Sequence, residues 1–590
     1  MRKNTIKGDI SIKEMKEIKP WQFFKFNLLV LFTGIAAGTF AVFFRYLIFG
    51  IRDLFQNYGV SMLGGSVNAL FLIIPFGGLL VGLLTYYGAR EAKGHGVPEV
   101  MLASEVHGGK IRPRVVLIKA LASAICIGSG GSAGREGPIV QMGATIGSTI
   151  AQFLRLSRYE TRILLACGAA GGISATFNTP IAGVLFAIEL IIREVKTRSF
   201  ISIVITSVFS ALTARSILAL LGVHERYIFD IPQYCMKNPY EIIFYLGLGI
   251  VAAIIGIFFV KLLYGLEDFF DKLKLPEYIK PAIGGLLLAI VAVVFHHYFG
   301  ETYILGIGYN AIEKLLNNGM IPIMIFSIVI LKILATSLTL GSGGSGGIFA
   351  PSLVIGAMTG AAYGIIIHHI FPDITAGYKA YALVGMAAVF TAVSRATLTA
   401  IVIVFEMTGN YAIILPLMFA CVVSDAISVI WLKETIYTIK IKRRGINIEH
   451  DMDINIFKTV TANELMRKEF ITVSEDMCIR ELHSKMNETD IKSFPVVDNN
   501  NSLVGVVKKY YFSELSLEQK EKIKVKEIIR PLRFYIYPDD NLEEIMLKVG
   551  LKEISYFLVV EPENKKKLVG IFTKGDMIRA YNKKAIEEYS

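Results

Sequence analysis

An arginine and a glutamate, Arg135 and Glu136, stand in GSGGSAGREGP, residues 128 to 138, a glycine-rich break between stretches apolar enough for hydrocarbon. A helix that starts after such a break exposes unpaired N–H groups and the positive end of its dipole. Several such starts converging make a site for an anion without a full positive charge. A lone carboxylate placed there is itself an anion: ionised it occupies the site, protonated it can leave. Glu136 therefore reads as a gate. The plain structural alternative is a salt bridge to Arg135, but sequence neighbours do not face each other on a helix, and an ionisable residue in a membrane segment is a functional candidate by default. A cation site would use converging carboxylates or carbonyls, and the breaks hold Glu136 alone, with Glu99 and Glu313 at their flanks. The glycines at 130–134 and 343–347 also fit G-x-S-x-G, but a hydrolase nucleophile needs a strand–turn–helix setting and a partnered histidine, so no enzyme is expected.

The elements that position these residues are duplicated. GSGGSAGREGPIVQMGATIG from Gly128 matches GSGGSGGIFAPSLVIGAMTG from Gly341 at half of the aligned positions. GHGVPEV from Gly94 matches GIGYNAI from Gly306, and Gly168 and Glu189 align with Gly385 and Glu406 at one common offset. Halves interrupted at corresponding places by glycine and proline are the pattern of a transporter core built from broken helices, with its site where the breaks meet. Bare peptide groups in hydrocarbon are costly, so breaks near Gly94, Gly128, Gly306 and Gly341 must be buried or line a wet cavity.

With a mean hydropathy of +0.54, 53% apolar and only 19% charged residues, the 590-residue chain is too oily for a soluble enzyme. Spanning-length apolar stretches recur to about residue 432, which gives an all-α polytopic membrane domain. Beyond Tyr437 the text turns rich in lysine and glutamate, with KIKRR at 440–444 as the boundary. The expected division is a cytosolic N-terminal segment 1–22, a membrane domain 23–437 with halves near 23–222 and 238–437, a basic linker 438–454, and tail modules at 455–516 and 520–584. The lysine-rich start lacks the apolar core of a secretory signal, and the positive-inside rule puts both ends in the cytoplasm of a multi-pass cell-membrane protein. A net charge of +12 raises nucleic acid as a partner, but no basic stripe with interleaved aromatics is present and the cytosolic flanks hold much of the charge. Cys126, Cys167, Cys235, Cys421 and Cys478 are scattered, and read as buried thiols rather than a disulfide or metal framework. The pairs His296/His297 and His368/His369 end apolar runs and read as interfacial anchors, so no metal is expected.

On these motifs the chain resembles the CLC family of chloride channels and chloride/proton exchangers, over essentially its whole length. GREGP, which is Gly134, Arg135, Glu136, Gly137 and Pro138, is similar to that family's gate motif. GIFAP, from Gly347 to Pro351, is similar to a second pore motif, and GHGVP, from Gly94 to Pro98, stands where the family usually has GSGIP. The resemblance implies a homodimer of uneven, tilted helices in lipid, each subunit with its own pore between inverted halves. It implies chloride or a similar anion as substrate, protons as a second substrate in the exchangers, and no required cofactor. Carried over by position, it implies Glu136 as the gating glutamate, with the backbone amides of Ile348 and Phe349, the hydroxyl of Tyr437, and His95 and Gly96 of the first loop at the anion. Without the resemblance, Tyr437 reads as an interfacial aromatic.

Two residues depart from the family pattern. His95 replaces the serine whose hydroxyl the family points at the anion; imidazole is bulkier and, when neutral, donates through one nitrogen. In FAIEL, Leu190 stands where exchangers commonly carry a glutamate that passes protons to the cytoplasm. Leucine cannot carry a proton, and Glu189 next door lies roughly 100° around a helix, so proton coupling is the part of the resemblance in question.

The tail is duplicated as well. FPVVDNNNSLVGVV and FLVVEPENKKKLVGIFT each read strand, turn, strand, with helical segments upstream at Glu464 and Glu527, giving two α/β modules in tandem. They resemble a CBS pair. GIFTKGD at 570–576 is similar to the CBS nucleotide signature, which implies Thr573 at a phosphate and Asp576 at the ribose of an adenine nucleotide. The first copy has Lys508 and Tyr511 instead, so at most one half-site is intact, and a dimerisation module is the alternative. The expected function is CLC-type chloride transport gated by Glu136 with a regulatory CBS pair. The alternative is a nucleotide-regulated cation transporter, against which the shortage of acids in the breaks argues.

Overall fold

Glycine closes some helices of the membrane unit, as at Gly300 and Gly409, and proline opens others, as at Pro180 and Pro322. In the computed structural model the described residues are 20–193, 196–223, 229, 234, 236–446, 460–489, 493–532, 535–549 and 556–589. Nearly all of the segment 1–22, Cys235 and the latter part of the linker 438–454 lie outside them. The chain divides into two units, Met1–Ile448 and Glu449–Ser590.

Among the described residues eight helices are long and apolar enough to cross a membrane, the last being Tyr411–Trp431. The helices that build the site are α1 (Val97–Glu105), α2 (Val115–Gly128), α3 (Glu136–Phe153), α4 (Arg158–Phe177) and α5 (Pro180–Phe186), which runs into a wider turn at Ala187–Ile192. They continue with α6 (Ile242–Lys272), α7 (Tyr309–Glu313), α8 (Pro322–Gly341), α9 (Phe349–Ile370), α10 (Tyr378–Ser394), α11 (Thr397–Thr408) and α12 (Thr438–Lys442). Pro98, Pro138 and Pro351 sit in the first turns of α1, α3 and α9, where a missing N–H leaves no intrahelical bond unmade.

The duplication is visible as exchanged contacts. Ser123 and Ser345 join their hydroxyls at 3.0 Å, and Ser132 and Thr336 join theirs at 3.0 Å. In the repeat alignment Ser123 corresponds to Thr336 and Ser132 to Ser345, so these are one contact with the halves swapped, as a two-fold axis generates. Glu189 accepts from the amides of Leu398 and Thr399 at 3.1 and 2.9 Å, while Glu406 accepts from those of Ile181 and Ala182 at 3.1 and 2.7 Å. Each half thus caps the other's short helix, α11 and α5, with a carboxylate at its positive end. Gly134 and Gly347 are counterparts of each other and exchange both backbone bonds, at 2.7 and 2.6 Å, which puts them on the axis.

In the second unit β1 (Val473–Ser474), β2 (Ser493–Val497) and β3 (Leu503–Lys508) form one sheet, and β4 (Tyr556–Val560) with β5 (Leu568–Thr573) another. Both hairpins slip register at the same place, Val496/Val497 and Val559/Val560. The modules interlock: Val460, Ala462 and Leu465 pack into the core of the second, with Ile536 and Phe572, while Val525 packs into the core of the first, with Val473 and Phe494. Cys126, Cys167 and Cys421 are buried free thiols and Cys478 is partly buried. The two histidine pairs close α9 and the helix Lys280–Phe299 at their C-terminal ends.

Candidate anion site

Three breaks are pinned together by their own backbones. The Gly94 amide donates to Gly344 at 3.0 Å and the Gly346 amide donates back to Gly94 at 3.3 Å, beside the Gly134–Gly347 exchange. The starts of α1, α3 and α9 are thereby held against one another. The approach needs bare backbone: a Cβ on Gly137 would overlap the His95 carbonyl, and Gly96, at φ +83°, adopts a conformation that glycine supplies at little cost. The start of α12 joins them because the Tyr264 hydroxyl of α6 donates to the Ile436 carbonyl at 2.5 Å and the Ile436 amide donates to Val393 at 3.1 Å, fixing Tyr437.

The pocket among these starts is lined by His95, Val97, Glu136, Gly137, Val140, Ile173, Phe186, Ile348, Phe349 and Tyr437. Glu136 is the one acid in that lining, and it is 1% exposed. Its Oε1 accepts from the Tyr309 hydroxyl at 2.6 Å, and its Oε2 is buried beside the Ala350 amide of α9 without a well-formed hydrogen bond. The carboxylate lies back over Gly134, where any Cβ would displace it. Arg135 stacks its guanidinium toward the Tyr309 ring, 6.0 Å from the centroid, and forms no ion pair with Glu136 among the described residues. Ile348 and Phe349 stand at the N-terminus of α9, where amides lack intrahelical acceptors. The His95 ring lies 5.9 Å from that of Tyr437, and its buried Nδ1 has no hydrogen-bond partner.

Leu190 is 1% exposed, outside the pocket lining, and Glu189 turns its carboxylate to the start of α11. In the tail Thr573 donates to Asp576 at 2.7 Å, and Arg467 and Arg579 donate to the other oxygen at 2.8 and 2.6 Å. Burial works to raise the Asp576 carboxyl, but the hydrogen bonds from Arg467, Thr573 and Arg579 outweigh it and hold the group below the usual carboxylate range. A ribose would compete with those partners for Asp576.

Three features escape the sequence reading. Lys119 of α2 donates to the carbonyls of Ala92 and Gly94 at 3.0 and 2.7 Å, and Lys332 of α8 donates to those of Ile304 and Gly306, both at 3.0 Å. These lysines are counterparts, each fully buried and each clamping its own half's first break. The signal was present: one lysine at the same place in VVLIKALAS and IVILKILAT. The third, Tyr309, carried no signal beyond its place in the repeat.

Comparison with known proteins gives the family and the fold. A family model for voltage gated chloride channels matches residues 77–429, and one for CBS domains matches 462–512 and 525–583. The H(+)/Cl(-) exchange transporter ClcA of Yersinia pseudotuberculosis is 33% identical over 407 residues, which span 67% of this chain and 82% of that one. A slow cyanobacterial Cl-/H+ antiporter superposes with a TM-score of 0.65 at 26% identity, over 71% of this chain and 98% of its own. A eukaryotic CLC transporter, at 20% identity and a TM-score of 0.58, shares the fold over 94% of this chain and 98% of its own.

Proposed function

The chain belongs to the CLC family of chloride channels and exchangers, and from that premise we propose that it carries chloride, or a similar monovalent anion, through the pocket of His95, Glu136, Ile348, Phe349 and Tyr437. The observation that carries the reading is four helix starts converging on a pocket whose lining holds a single carboxylate. Dipoles and free amides there stabilise negative charge, and Glu136 is the tethered anion that competes for the same place. Protonation neutralises it and frees the site. The Tyr437 phenol and the unpaired His95 nitrogen supply side-chain contacts to the substrate.

Protons reach the site through Glu136, since Leu190 offers no acceptor and Glu189 is engaged as a helix cap. The working unit is a homodimer in the cell membrane with both termini cytoplasmic. The tail is a regulatory module whose ligand is an adenine nucleotide at Thr573, bound at the expense of the Asp576 ion pairs. In sealed proteoliposomes chloride flux should persist when sodium is replaced by an impermeant cation, and should change when ATP is added on the tail side. Flux that requires sodium would favour the cation-transporter reading; indifference to ATP, ADP and AMP would leave the tail as an assembly module.

A further inference from the structure

Tyr309 stands at the boundary of two spaces. On one side is the anion pocket; on the other a cavity of about 310 Å³ lined by Arg45, Arg52, Arg135, Glu313 and Tyr309 itself, among others. The hydrogen bond from Tyr309 to Glu136 Oε1, at 2.6 Å, crosses that boundary. Everything around the phenol fixes its aim. Lys332 ties down the carbonyls of Ile304 and Gly306 just upstream, Gly308 enters α7 at φ +92°, and Phe229 packs edge-on to the ring with centroids 5.7 Å apart. In the repeat Tyr309 corresponds to Val97, which has no polar atom to offer. The duplicated scaffold therefore delivers a hydroxyl to the gate on one side only.

We propose that Tyr309 is a latch, a positioning residue that bolts the Glu136 carboxylate in the anion site and releases it on protonation. The inference rests on the reading of Glu136 as the gate. While Glu136 is ionised, the phenol donates to a charged acceptor, and such bonds are about twice as strong as neutral ones. Once Glu136 is protonated the charge assistance is gone, and the neutral side chain leaves the pocket to the anion. The charged and titratable groups facing Glu136 are Arg135 from its own loop, Tyr309 from α7, His95 from the loop before α1, and Tyr437 from the start of α12. Of these, Tyr309 is the one that holds a carboxylate oxygen by a formed side-chain hydrogen bond among the described residues.

The test is chloride efflux against pH for the reconstituted full chain as wild type, Tyr309→Phe, Glu136→Gln and the double variant. Phenylalanine keeps the ring against Phe229 and removes only the hydroxyl. The latch predicts that Tyr309→Phe moves half-activation to higher pH by about one to two units, because the ionised, site-filling form has lost its partner. It predicts no effect of Tyr309→Phe in the Glu136→Gln background. A Tyr309→Phe curve coincident with wild type, while Glu136→Gln is flat, overturns the latch and spares the gate. An equal change from Tyr309→Phe with and without Glu136 also overturns it, in favour of a packing role. A pH dependence that survives in Glu136→Gln overturns the gate reading itself.

Discussion

At the residue scale, the proposed site sits where the repeat breaks its own symmetry. Glu136 has Phe349 as its counterpart, His95 has Ile307, and Tyr309 has Val97, while Gly94, Gly96 and Gly134 recur in the other half as Gly306, Gly308 and Gly347. Glu136 was legible because a charge in a glycine-rich break has few structural reasons to be there. Tyr309 was not, because an aromatic near the end of an apolar run fits interfacial anchoring equally well and only the fold shows its hydroxyl reaching across some 170 residues of chain. His95 is one of the two positions that depart from the pattern the chain resembles, and its imidazole lines the pocket with a buried Nδ1 that has no hydrogen-bond partner. If that nitrogen donates to the anion, His95→Ser should alter the ranking of chloride against larger anions, with chloride affinity changing roughly tenfold, the worth of one net hydrogen bond in a dry site. Identical affinity and ranking in an anion-competition flux assay would make the imidazole a spacer.

At the element scale the short helices α5 and α11 depend on charges donated by the opposite half. Glu189 and Glu406 each satisfy two backbone amides that otherwise have no intrahelical acceptor. Replacing either by alanine should cost about 2 kcal/mol, the upper range for loss of a helix cap, and lower the unfolding temperature of the detergent-purified protein by similar amounts for the two variants. An unchanged melting curve for both would contradict the capping account. The sequence aligned these glutamates as a repeated pair, but a repeat alone does not say that each serves the other half; that follows from the two-fold axis. The breaks were legible as breaks, since glycine and proline terminate helices for local reasons. Which breaks touch depends on long-range packing, and the Gly94–Ser345 and Gly134–Gly347 bridges have no local signature.

At the scale of the whole molecule, the membrane unit and the tail separate cleanly in the text because hydropathy changes abruptly after Tyr437. The interior of the tail was less legible: tandem strands suggest two consecutive modules, whereas Val460, Ala462 and Leu465 cross to the second core and Val525 to the first, exchanges that periodicity cannot encode. The central claim is that one carboxylate, Glu136, both closes the anion pathway and handles its protons. The most direct test imposes a chloride gradient across sealed proteoliposomes under clamped voltage and records chloride and external pH together, for wild type and Glu136→Gln. The account predicts chloride flux in both and uphill proton movement, if the wild type shows it, absent from the variant. Proton movement that persists without the Glu136 carboxylate, or no chloride flux in the wild type, would contradict it.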